Sequence, residues 1–78
     1  MTAWLKITKP NVEVGANFVL YQSAILDIEE ATGFAVQTAG TVAVFINGKA
    51  YVIQKQFDEK AYTQVLAYVQ KKTGKELP

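Results

Sequence analysis

The sequence predicts a small α/β (α+β) domain: a mixed sheet in β-α-β-β-α order, with a central Asn-Gly hairpin and two amphipathic helices. Three observations carry this reading. Apolar residues alternate over Trp4 to Thr8 and run on both faces of residues 42–53, as they do in strands. They recur at three- and four-residue spacing from Asn17 to Thr32 and again in the last twenty residues, as on one face of a helix. Asn47-Gly48 divides residues 42–53 with a two-residue loop, the strongest short-range hairpin signal. With 78 residues, the expectation is a single domain over 1–78.

The first strand, Trp4 to Thr8, puts Leu5 and Ile7 on one side and Lys6 and Thr8 on the other. It ends at Lys9-Pro10-Asn11, with Val12 and Val14 as an extension beyond the proline. The first helix is expected from Asn17 to Thr32. Asn17 serves as N-cap, Gly33 as the residue after the last turn, and Phe34 folds back on Ile28. Two features of this helix are out of place. Val19 and Leu26 sit together on its polar side, and Asp27, Glu29 and Glu30 crowd the end where the macrodipole favours cations.

Residues 34–38 are either a loop or a short strand. In the hairpin that follows, the two-residue loop sets Ile46 opposite Lys49, Phe45 opposite Ala50, Val44 opposite Tyr51, Ala43 opposite Val52 and Val42 opposite Ile53. Both faces are apolar, the pattern of a sheet covered on both sides. The closing helix takes Asp58 as N-cap, with a Phe57–Tyr62 staple. Lys71 and Lys72 fill its last turn, and Gly74 stands behind them. Leu77-Pro78 is expected to fray.

Composition limits the chemistry. The chain is 50% hydrophobic, 12% aromatic and 19% charged, so it is globular. It has no histidine and no cysteine, which removes His/Cys metal clusters, Ser-His and Cys-His nucleophile pairs, disulfides and CxxC redox centres. All eight cations are lysines, and the net charge is +1; a chain so balanced is not a dedicated nucleic-acid binder. The start lacks a charged leader and a long apolar run, and Phe18 to Ile28 is too short to span a bilayer. The expected location is cytoplasmic, with no membrane partner. A core this small usually needs reinforcement, and with disulfides and metals excluded, association is the route left.

The run from Glu30 to Lys49, with the helix after it, resembles the C-terminal half of thioredoxin-like proteins. Thr41, Val42, Val44, Phe45, Gly48 and Lys49 carry the resemblance, which spans roughly residues 30–73. The active-site cysteines of that family are absent, and Gly40 stands where the family keeps a cis-proline. The resemblance therefore implies a redox-inactive, peptide-binding derivative. With residues 34–38 as a strand, the order from residue 17 is also similar to double-stranded-RNA-binding domains. Their last helix begins with basic residues, whereas this one begins Asp58-Glu59-Lys60.

Each candidate site has a plainer reading beside it. Asp27 and Glu30 lie one helical turn apart, but acid/base work needs a pocket that separates their pKa values. With Glu29 they read better as an acidic patch or a solvated helix end. Lys71, Lys72 and Lys75 form a basic patch that could hold phosphates; the plainer role is to complement the helix dipole. Ser23 has no histidine to activate it. The sharper candidate is excess apolar surface: Val19 and Leu26, and the hairpin face of Ala43, Phe45, Ala50 and Val52. The expected function is a non-catalytic protein-interaction module without cofactor, an adaptor or inhibitor that binds another protein or itself as a homodimer. The alternative is lysine-driven nucleic-acid binding.

Overall fold

Residues 4–27 form one long β-hairpin, bent in the middle. Its outgoing arm is β1 (Trp4–Thr8) and β2 (Asn11–Val14), and its returning arm is β3 (Asn17–Leu20) and β4 (Ser23–Asp27). One register holds along both halves, from Trp4 opposite Asp27 to Val14 opposite Asn17. Backbone bonds carry the ladder across the bend: Lys9 N–H donates to the Gln22 carbonyl (2.8 Å) and Tyr21 N–H to the Pro10 carbonyl (3.0 Å). The bend arises at Lys9, whose φ is +52°, followed by the rigid ring of Pro10. Alternation changes phase there: Leu5 and Ile7 are buried before it, and Val12 after it. The structure, a computed structural model, describes residues 3–15 and 17–77.

The expected helix over Asn17–Thr32 is therefore corrected. Asn17 opens β3 instead of capping a helix, and only Ile28–Glu30 turn helically, as a short 3-10 turn. Gly33 begins a strand, so the Phe34 fold-back on Ile28 is not part of a helix end. The physical reason lies outside the segment. Residues 4–14 offer it a ladder in constant register, and aromatic and β-branched residues such as Phe18, Val19, Tyr21 and Ile25 suit a pleated surface.

After the 3-10 turn come β5 (Gly33–Thr38), β6 (Thr41–Ile46) and β7 (Lys49–Gln54). The sheet order is β3-β2-β7-β6-β5, with β1 and β4 as a separate two-stranded ribbon. Every described pairing is antiparallel, which corrects the expected mixed sheet. A hairpin replaces the helical crossover, so no parallel pair is required. The β6–β7 register has all five expected pairs and adds Thr41 opposite Gln54. Asn47 and Gly48 have φ of +51° and +77°, the signs a type I′ turn demands at both positions.

The single helix among the described residues, α1 (Glu59–Thr73), has the expected ends. Asp58 Oδ1 accepts from Ala61 N–H at 3.1 Å. Gly74 closes it in the left-handed conformation and donates to the Gln70 carbonyl at 2.8 Å. Phe57 is 53% exposed. Leu77 packs partly buried against the core, unlike the frayed end expected of it, and Pro78 lies outside the described residues.

One apolar cluster joins all these parts. The ribbon contributes Leu5, Ile7 and Leu26, the 3-10 turn Ile28, the sheet Val42, Val44, Ile46 and Ile53, and α1 Ala61, Tyr62, Val65 and Val69. The ribbon and α1 together cover one face of the five-stranded sheet. Phe34 extends this contact onto Tyr68, ring centroids 6.2 Å apart.

Candidate functional site

Directly opposed residues of an antiparallel sheet share a face, so the register defines the uncovered side. One row crosses it as Ala35, Ala43, Val52, Asn11 and Leu20; the next crosses as Gly33, Phe45, Ala50, Glu13 and Phe18. None of these residues belongs to the core cluster. The expectation of a helix on each face is thus corrected: the one helix among the described residues packs with the core cluster on the other side.

The surface has a graded relief. Ala43, Ala50 and Val52 are 0%, 8% and 7% exposed. Phe45, Phe18 and Leu20 rise above them at 39%, 56% and 69% exposed. The Phe45 ring is held in part by the bare backbone opposite it. A Cβ placed on Gly33 would meet its Cδ2 at 3.8 Å, ordinary contact, so the ring lies beside that glycine. The Phe45 carbonyl is also anchored, accepting from Thr32 N–H at 2.8 Å and Thr32 Oγ1 at 3.3 Å.

The structure brings together Ala43, Phe45, Ala50 and Val52, as the hairpin register requires, and separates Val19 from Leu26. Val19 lies on β3 opposite Val12, on the other face of the sheet, and is 40% exposed. Leu26 pairs with Leu5 and is buried in the core, so it presents no surface to a partner. Phe18 and Leu20 were missed by sequence reasoning, which placed them on a helix. No pattern within residues 17–20 marked them; their place on this face follows from pairing with residues 11–14.

The charged candidates have structural positions. Asp27 Oδ1 accepts from Glu29 N–H at 3.1 Å, capping the 3-10 turn, and from Ala3 N–H at 3.4 Å. Glu29 and Glu30 are exposed in that turn. A three-residue turn has no long helix dipole for these carboxylates to oppose, so the apparent conflict disappears. Lys71, Lys72 and Lys75 are exposed at the far end of α1. The described residues contain no group of acidic, His or Cys side chains able to hold a metal ion, and they bury no polar side chain.

A shallow cavity of about 480 Å³ opens beside the β5–β6 turn, with Gly40, Gln54, Lys55 and Glu59 on its walls. No helix of the described residues is long and apolar enough to cross a membrane. Compared with known protein families, curated proteins and solved structures, the chain matches none.

Proposed function

We propose that this chain is a non-catalytic protein-interaction module whose open sheet face receives another protein surface, in the simplest case a second copy. The observation that carries this is the face of β6 and β7, where Phe45 stands beside Ala43, Ala50 and Val52, with Phe18 and Leu20 on β3 beyond the Asn11 and Glu13 of β2. An exposed apolar face of this kind gains free energy when covered, and its contact does not weaken as salt rises.

The test is Phe45→Lys. Because Phe45 is 39% exposed and lies outside the core cluster, the variant is expected to remain folded by circular dichroism. It should lose the partner, or the dimer, in sedimentation. Retained association would remove the open face from the contact. Steep weakening of the wild-type complex with rising salt would instead move the contact to Lys71, Lys72 and Lys75 and favour a nucleic-acid partner.

A further inference from the structure

The five-stranded sheet has two outer strands, and they differ. The β5 edge carries a register irregularity between Val36 and Thr38, one of the devices that blunt an edge against pairing. The β3 edge carries none. From Asn17 to Gln22 there is no charge and no proline, the strand keeps register throughout, and all four of its residues are exposed.

The hydrogen-bond phase of β3 is defined by Tyr21, whose N–H bonds to Pro10 on the neighbouring arm at 3.0 Å. Alternation then turns the backbone groups of Val19 and Asn17 towards β2 as well. It leaves the N–H and C=O of Phe18 and Leu20 pointing out of the sheet. This is a self-complementary pattern. A two-fold axis through Val19 sets Phe18 opposite Leu20 of a second copy as a bonded pair, and Leu20 opposite its Phe18. Val19 meets its own copy as the non-bonded pair between them.

We infer that the β3 edge pairs antiparallel with the β3 edge of a second copy, about a two-fold axis at Val19, joining two five-stranded sheets into one of ten. The inference rests on the reading of this chain as an interaction module, but it uses the strand edge and not the open face. Side chains match on both sides of the new ladder. Phe18 and Leu20 extend the open face from one copy to the next, and Val19 packs on Val19 on the other side. Glu13, the nearest charge within the sheet, lies one strand back from the axis beside Phe18, so no like charges are opposed.

The surface area is consistent with this. A folded monomer of 8.6 kDa exposes roughly 4,700 Å². This chain exposes 5217 Å², above that average, and so has surface to give up at a small interface.

Single-cysteine variants test the register directly, because the chain has no cysteine of its own. Non-bonded antiparallel pairs bring Cα atoms to about 4.5 Å, within disulfide reach. Val19→Cys should therefore form a disulfide-linked dimer under mild oxidation. Ile25→Cys, more exposed than Val19 but on the ribbon, should not. In sedimentation at about 100 µM, suited to a small interface, the wild type should be dimeric. Val19→Lys should weaken the dimer at least tenfold by opposing two like charges (about this size is the minimum expected). Mixing Val19→Lys with Val19→Glu should restore it.

A monomeric wild type at that concentration, or crosslinking at Val19→Cys no faster than at Ile25→Cys, overturns the inference. A dimer broken by Phe45→Lys but not by Val19→Lys overturns it too, while leaving the interaction reading on the open face intact. The reverse pattern keeps the edge pairing and removes the open face from self-association.

Discussion

Asp58 holds two parts of the fold with its two oxygens. Oδ1 caps α1 by accepting from Ala61 N–H at 3.1 Å, and Oδ2 accepts from Thr8 N–H at 2.8 Å. The second bond ties the end of β1, and with it the ribbon, to the start of the helix, fifty residues away in sequence. Asp58→Ala removes both. Loss of an N-cap costs about 0.5–2 kcal/mol, and a further backbone bond to a carboxylate adds about 1 kcal/mol at an exposed position. The expected total is about 1.5–3 kcal/mol, or a fall in Tm of roughly 8–20 °C for a chain of this size. Asp58→Ser separates the two contributions, because one hydroxyl can keep the cap but cannot also reach Thr8. It should lie between wild type and Asp58→Ala in thermal and urea denaturation. If Asp58→Ser is as stable as wild type, the bond to Thr8 contributes nothing and the argument for a bridge fails. If it is no better than Asp58→Ala, the cap contributes nothing.

Two further predictions concern backbone positions at which φ is positive. Gly48, at φ +77° with no neighbour within 4 Å of an added Cβ, has room for a side chain but not the conformation for a β-branched one. Gly48→Val is expected to destabilise the fold by about 1–3 kcal/mol, and an unchanged urea midpoint would mean that the turn is not of type I′. Lys9 adopts φ +52° at the hairpin bend, which costs a side-chain-bearing residue about 1 kcal/mol. Lys9→Gly is expected to be neutral or stabilising by up to about 1 kcal/mol, and Lys9→Ile destabilising. Clear loss of stability in Lys9→Gly would show that the bend depends on the lysine side chain.

The elements legible in the sequence were β1, marked by its alternation over Trp4–Thr8, and those held together by neighbours in the chain. The β6–β7 hairpin follows from two turn residues, and the ends of α1 follow from Asp58 and Gly74, each acting within a few residues of itself. The segment from Asn17 to Ile28 contains no such local instruction. Its apolar residues fit a helical period loosely, yet along β3 they are exposed on both faces, so the pattern could not identify the element. The two features that fitted badly were informative. Val19 and Leu26 on a polar helix side, and carboxylates at a helix C-terminus, are conflicts that vanish once the segment is strand followed by a 3-10 turn.

The candidate face divides in the same way. The sequence by itself determined which residues share each side of the hairpin, because a two-residue turn sets register and register sets faces. It therefore placed Ala43, Phe45, Ala50 and Val52 on one side without knowing what lay above them. Only the tertiary structure decided that this side is open and that Phe18 and Leu20 belong to it. That decision depended on residues 4–14 pairing with 17–27 and on β2 docking against β7. The hairpin closes between Val14 and Asn17 but extends out to Trp4 and Asp27, and β2 meets β7 across far more of the chain. The free energy comes from strands meeting in space, so a segment whose apolar residues fit either period takes its form from the arm it pairs with.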